Sequence, residues 1–163
     1  MVLVGKAKIL NTLRNWPRVT NLEAAIYGVN TWWSKVGSQA IDRSGLIVEK
    51  NFQRYRHYLA PIVVVVDEST TQAEKSLIHH IAETTGAKVI FTTDLSDVKE
   101  RYSRVRWLAS SKPPILEEMD NGISVDHRPI AQRGDIETPR WLLEQSVAIT
   151  YHRYGNPNGG PKP

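Results

Sequence analysis

Cysteine is absent from the 163 residues. Without it no disulfide framework, zinc knuckle, iron–sulfur site or thiol nucleophile can be built. Long apolar runs are missing too. The longest, Ala60 to Val66, falls well short of the roughly 20 residues that a membrane-spanning helix needs. The opening residues, MVLVGKAKIL, break a short apolar stretch with lysines and do not read as a secretory signal. The expectation is a soluble, cytoplasmic chain with no membrane partner. What is present is ordinary for a globular domain: 40% hydrophobic residues, 23% charged, ten glycines and nine prolines. The length suits one domain, for which roughly 100–200 residues is usual.

The net charge of +4 is unevenly spread. Residues 1 to 60 carry nine Lys/Arg against three acids, whereas residues 61 to 100 carry three against seven. Basic residues interleave with aromatics at Arg54 to Tyr58 (RYRHY), Arg101 to Trp107 (RYSRVRW) and Tyr151 to Tyr154 (YHRY). Such interleaving fits a single-stranded nucleic-acid groove, with cations for phosphates and rings for stacking. It equally fits Arg stems and Tyr rings covering a domain surface or a subunit contact. The modest total charge makes nucleic acid the weaker of the two readings.

Along the chain, residues 5 to 16 read as a short helix closed by Pro17. Thr20 and Glu23 have capping-box spacing, and Leu22, Ile26, Val29, Trp33 and Val36 recur at helical steps, with Trp32 widening the stripe. A helix bearing two adjacent tryptophans needs a large apolar partner, in this domain or in another chain. Gly37 to Leu59 shows no strong period and reads as an irregular connection, long enough to cross a boundary. Ile62 to Val66 is a β-branched run that reads as a central strand covered on both faces. Asp67, Ser69 and Thr70 are N-cap candidates for a helix whose stripe is Ala73, Leu77, Ile78 and Ile81 and which Gly86 ends. Ala87 to Thr93 is a second buried strand, which completes a βαβ unit.

Beyond it, Ser96 to Tyr102 looks locally helical and Ser103 to Leu108 reads as a third strand. Pro114 opens a short helical piece, Ile115 to Met119, which Asn121-Gly122 stops; Ile123 to His127 is a further strand ended by Pro129. Ile136 to Gln145 reads as a helix, Val147 to Tyr151 as a closing strand, and the Gly/Pro-rich end as a disordered tail. The order implies an α/β fold with a mostly parallel sheet and flanking helices. The expected division is an N-terminal helical and irregular part over 1–60, an α/β domain over 61–156 and a tail over 157–163.

Chemistry is hard to find. The turn after the first strand, DESTTQAE, has no glycine, so the dinucleotide fingerprint is absent, and there is no Walker-type loop. Asp67 at that strand end is an N-cap candidate or, less readily, a ribose contact. His79 and His80 diverge on a helix; His79 and Glu83 have spacing that suits an ion or a solvated face. No serine has the flanking glycines of a nucleophile elbow. No catalytic, cofactor-binding or metal residue is assigned.

The final third carries a resemblance. GDIETPRWLLEQSVAITYHRYGN, Gly134 to Asn156, resembles the closing segment of the proline utilisation A family. The likeness rests on Gly134, Glu137, Trp141, Leu142, Glu144, Gln145 and Ser146, then His152, Arg153, Tyr154, Gly155 and Asn156. Upstream, Asn30 to Trp33, Asp42, Leu46, Glu49, Asn51 and Arg54 to Arg56 resemble the stretch before that family's last Rossmann-like sheet. These bifunctional enzymes join proline dehydrogenase to 1-pyrroline-5-carboxylate dehydrogenase. The resemblance implies their non-catalytic, aldehyde-dehydrogenase-like domain: Rossmann-like, ending in a flap strand, and helping to cover the substrate-channelling tunnel. FAD and NAD are implied for the catalytic modules of such enzymes, and no cofactor for this chain. The implied partners are those modules or a second copy of the chain.

Two features bear on that implication. Aldehyde dehydrogenase chemistry runs through a cysteine thiohemiacetal, and this chain has no cysteine. Pro139 falls where an ordinary helix former is usual, so the terminal helix is expected to start near Thr138 and be short. The candidate interface residues are therefore Trp32, Trp33, Trp141, Glu144, Gln145, Tyr151, His152, Arg153, Tyr154, Gly155 and Asn156. In this reading the closing strand adds to a sheet edge of another molecule or domain, Arg153 clamps a carboxylate or carbonyls, and Tyr151 and Tyr154 anchor by burial. The alternative is that the strand pairs within its own domain and Arg153 ties down the tail. A small nucleotide- or metabolite-binding α/β module is the competing function, with a single-stranded nucleic-acid binder behind it.

Overall fold

A computed structural model describes residues 18–46, 49–113, 123–150, 152–153 and 156–157. The helices expected over 5–16 and 115–119 lie outside the described residues, as do Tyr151, Tyr154, Gly155 and the tail from 158. The elements run α1 (Leu22–Trp32), a π-helical turn (Trp33–Gly37), β1 (Ile41–Asp42), β2 (Glu49–Arg56), β3 (Ile62–Val65), α2 (Gln72–Thr85) and β4 (Val89–Thr92). There follow a 3-10 turn (Leu95–Asp97), β5 (Arg104–Trp107), β6 (Ser124–Asp126), α3 (Gly134–Glu137), a 3-10 turn (Thr138–Trp141), β7 (Leu143–Thr150), β8 (His152–Arg153) and β9 (Asn156–Pro157).

The β-branched run forms the centre of a four-stranded sheet, ordered β4-β3-β5-β6 and parallel throughout. All four residues of β3 are buried because both of its faces are covered. One face packs Ile62 and Val64 against Leu77, Ile78 and Ile81 of α2, Ala25 and Val29 of α1, Ile130 and Trp141. The other packs Val63, Val65 and Val105 against Leu95, Val98, Tyr102, Trp107 and Val125. Among the described residues, helices cover only the first face; the second lies under the 95–102 connection. The β3–α2–β4 unit and the parallel arrangement match the expected Rossmann-like α/β fold. Segments before and after residue 60 share the larger core.

Both helix starts differ from expectation by a residue or more. At α1 the cap is Asn21, whose side chain accepts from the Ala24 amide at 2.9 Å. Thr20 instead donates, from its hydroxyl, to Gln132 Oε1 at 2.7 Å. At α2 the cap is Thr71, not Asp67, Ser69 or Thr70. It forms a reciprocal capping box with Glu74, which accepts the Thr71 amide at 2.7 Å. Gly86 ends α2 with a φ of 75°, as its position predicted. The helical turn expected over Ser96 to Tyr102 is only the 3-10 turn at Leu95–Asp97.

The largest correction concerns an antiparallel ribbon, ordered β1-β2-β7. Gly37 to Leu59 is not an irregular connection, because β2 within it pairs residue by residue with β7 from Glu49↔Thr150 to Arg56↔Leu143. Correspondingly, Ile136 to Gln145 is not one helix. Helical backbone stops at Trp141, and Leu142 turns to φ −125°, ψ 157°, so that Leu143 already belongs to β7. Pro139 sits at the start of the 3-10 turn, where its missing amide costs nothing, consistent with a short terminal helix.

Two glycines explain how the helices close on one another. A Cβ on Gly134 would collide with the α1 backbone at Val29, Ala25 and Gly28, so α3 can lie against α1 only with glycine there. A Cβ on Gly37 would meet the rings of Trp32 and Trp33. Gly134→Ala is therefore expected to lower the free energy of unfolding by about 1–3 kcal/mol, the usual range for overpacking, as read by urea denaturation. Unaltered stability would contradict the tight α1–α3 crossing.

Candidate functional site

The buried polar groups come first, because they determine what remains for a site. Arg106 and Glu137 are both fully buried. Arg106 contacts Glu137 Oε1 at 2.8 Å and Asp126 Oδ2 at 2.6 Å, and its guanidinium lies 5.3 Å from the Trp141 ring centre. Glu137 also accepts from the Trp141 indole at 3.0 Å, from Arg140 at 3.0 Å and from the Ala131 amide at 2.8 Å. Burial presses the Arg106 pKa down, and Glu137 and Asp126 oppose it. Burial would raise the Asp126 pKa, but the Arg128 hydrogen bond and the Arg106 charge outweigh it and hold the group well below the carboxylate range. These charges are internally compensated. They form a structural cluster, not an exposed catalytic one.

This cluster revises the basic–aromatic reading of Arg101 to Trp107. Arg106 faces the core and Arg104 donates to the Arg140 carbonyl at 3.0 Å, so neither is presented to a phosphate backbone. Arg54 is likewise engaged, donating to Gln145 Oε1 at 2.7 Å. Arg56, His57, Tyr58, Arg101 and Tyr102 do come together, lining an open groove below the amino ends of β3 and β5 with Leu59 and Leu143.

The candidate interface residues divide by element. Trp32 packs edge-on against Tyr55 of β2 at 4.9 Å and lies 6.4 Å from Trp33, so the tryptophan pair meets the ribbon of its own chain. Trp141 is fully enclosed. Glu144 and Gln145 stand on β7, where Gln53 donates to Glu144 at 2.5 Å and Arg54 to Gln145. The backbone of His152 and Arg153 pairs with that of Pro157 and Asn156 as an antiparallel hairpin. The closing strand is longer than expected, and its pairing with β2 lies within the chain. The other edge of β7 has no strand against it among the described residues, and Leu143 and Ile149 on it are exposed.

Among the described residues no three His, Asp or Glu side chains group around a common point. His79 is exposed and stacks on Phe91 at 4.8 Å, while His80 Nε2 lies 2.8 Å from Asn30 Oδ1 and ties α2 to α1.

A crevice of about 400 Å³ opens at the carboxyl ends of β3, β5 and β6. Arg18, Ser69, Trp107, Ser111, Lys112 and His127 are among its walls, with Pro129 and Ile130 on its apolar side. Strand β4 lies on one side of β3 and β5 on the other, so the crevice sits where the connections diverge, the usual ligand position in open α/β sheets. Asp67 joins its two sides, accepting from the Ser69 amide at 2.9 Å and from the amide and hydroxyl of Ser110 at 2.6 Å. Partial burial pushes the Asp67 pKa up, yet the Ser110 and Ser69 hydrogen bonds outweigh it and set the group far below its ordinary value. Asp67 is thus not a helix cap here but a cross-link between loops.

A carboxylate depressed in the folded state adds stability above its unfolded pKa, near about 3.9, and loses it as the pH falls below that. Asp67→Asn should lower the thermal midpoint at neutral pH, and the gap to the native protein should shrink steadily below about pH 4. A gap independent of pH would contradict the loop cross-link.

Comparison with known proteins gives a fold-level likeness. No family model matches the chain, and no curated protein matches it. The solved structure of proline utilisation A (PutA) from Corynebacterium freiburgense is similar, with a TM-score of 0.64 and 23% sequence identity. The match covers 91% of this chain and 15% of that one, so the chain spans a small part of the protein it resembles. At that identity the likeness establishes a shared fold.

Proposed function

We propose that this chain is a non-catalytic structural domain of a proline-catabolic enzyme of the proline dehydrogenase / 1-pyrroline-5-carboxylate dehydrogenase type. In this reading it covers the substrate-channelling tunnel and supports the oligomer, in the cytoplasm. The observation that carries the proposal is the coincidence of the fold likeness, over 91% of the chain, with structural duties for the motif residues. Gly134 permits the helix crossing, Glu137 and Trp141 complete the buried ion cluster, and Glu144 and Gln145 lock β7 to β2. None of these side chains is arranged as a nucleophile with a base. The absence of cysteine removes the thiol through which aldehyde dehydrogenases work. FAD and NAD would belong to catalytic modules elsewhere, and the partners would be those modules or a second copy.

The edge of β7 that has no strand against it among the described residues supplies the docking chemistry for such a role, since its backbone groups and the exposed Leu143 and Ile149 can accept another strand. Two measurements test the proposal together. Glutamate semialdehyde and NAD mixed with the purified protein should yield no NADH, and measurable turnover would overturn the non-catalytic reading. Sedimentation should show self-association that Ile149→Lys abolishes. A monomer at high concentration, unchanged by the substitution, would contradict an assembly role for that edge.

A further inference from the structure

We propose that β7 pairs with β7 of a second copy, antiparallel about a two-fold axis at Ser146, and so joins two three-stranded ribbons into one sheet. The inference rests on the assembly role proposed above and names its partner and its register.

β7 is an edge strand without the usual protection. Edges are kept from pairing by being short, by lysine or proline, or by a bulge. β7 runs over eight residues, Leu143–Thr150 (LEQSVAIT), with neither lysine nor proline. Its register with β2 is unbroken from Glu49↔Thr150 to Arg56↔Leu143, which leaves no bulge. Its one charged residue is Glu144, whose carboxylate already accepts from Gln53. The opposite edge of the ribbon is guarded, because β1 has two residues and ends in Asp42. Among the described residues no strand lies against the outer side of β7, and Leu143 and Ile149 stand exposed near its two ends.

Self-complementarity singles out a second copy and fixes the register. Along an antiparallel strand, the residues that point their N–H and C=O groups to one side alternate. Two copies of one strand therefore pair only with the axis on a residue, not between two. An axis at Ser146 sets Leu143 opposite Ile149, Glu144 opposite Ala148 and Gln145 opposite Val147, each of them twice. The exposed apolar side chains then cover one another. An axis at Glu144 would bring like charges face to face. One at Gln145 would leave Ile149 without a partner inside the strand, and one at Val147 would do the same to Leu143. Leu143, Val147 and Ile149 share a face with Phe52, which lies opposite Val147, so the joined sheet carries one continuous apolar face. An isologous contact of this kind closes after two copies.

The lack of cysteine makes the register directly measurable. Glu144, Ser146 and Ala148 alternate along one face of β7 and all three are exposed, so cysteines placed there differ in register and not in access. Across the axis the two Ser146 Cα atoms stand about 4.5–5.5 Å apart, within the span of about 4.4–6.8 Å that a disulfide bridges. The two copies of Glu144, like those of Ala148, are offset by about 14 Å along the strand, too far to bridge. Under mild oxidation of the intact chain, Ser146→Cys should form a covalent dimer at least about tenfold faster than Glu144→Cys or Ala148→Cys. An equal mixture of Glu144→Cys and Ala148→Cys should cross-link faster than either alone, and adding Ile149→Lys to Ser146→Cys should remove its advantage. Equal rates for the three single variants, or a faster rate for Glu144→Cys, would overturn the pairing. If the native protein still self-associates in sedimentation, such a result overturns this register and partner and leaves the assembly role standing; a native monomer at every concentration overturns both.

Discussion

A guanidinium with no access to water must be matched by carboxylates in fixed positions, and the burial of Arg106 imposes that requirement on half the fold. Its partners come from different elements: Asp126 from β6 and Glu137 from the end of α3. Glu137 in turn binds the Ala131 amide, Arg140 and the Trp141 indole. The parallel sheet, the loop before α3 and the 3-10 turn are therefore joined through one carboxylate. The strand β7 begins two residues after Trp141, so its direction of departure follows from that junction. Removing one member of a buried pair is typically costly, about 3–5 kcal/mol, because the other charge is left uncompensated. The cluster is thus a constraint on geometry as much as a source of stability.

Seen from this junction, the two ends of the sheet have different chemistry. At the amino ends lies the ribbon of β2 and β7, whose outer edge has no strand against it among the described residues and whose Leu143 and Ile149 are exposed. At the carboxyl ends, loops cross-linked by Asp67 surround a crevice whose lining includes Arg18, Lys112 and Glu74. The first presents backbone groups along a strand, the second a cavity lined by side chains. The two sites share no wall residue, so each can be altered without the other.

The sequence made the sheet core legible because burial there follows simple rules. Ile62 to Val65 is apolar on both faces, and Leu77, Ile78 and Ile81 fall at helical spacing. The ribbon was not legible, for a physical reason. Every residue of β2 is half-buried or exposed, so no alternation marks it, and Lys50, Asn51 and Gln53 look like loop residues. The terminal helix was overextended because Trp141, Leu142 and Leu143 mimic a helical stripe, although Leu143, Val147 and Ile149 already carry a period of two. Arg106 misled in another way. Within RYSRVRW it looks like a surface cation, and only its cross-strand position opposite Asp126 shows that it faces inward. The crevice was invisible because residues that line it, such as Arg18, Lys112 and His127, lie far apart in sequence until the loops meet.

The claim that the buried ion cluster holds β7 in place is tested most directly by amide hydrogen exchange on Glu137→Gln. That change keeps the shape of the side chain and removes its charge. The account predicts that amides of residues 143–150 exchange at least about tenfold faster than in the native protein, while those of β3 and α2 retain their protection. Unchanged exchange in β7, or an equal loss of protection throughout the sheet and helices, would contradict it.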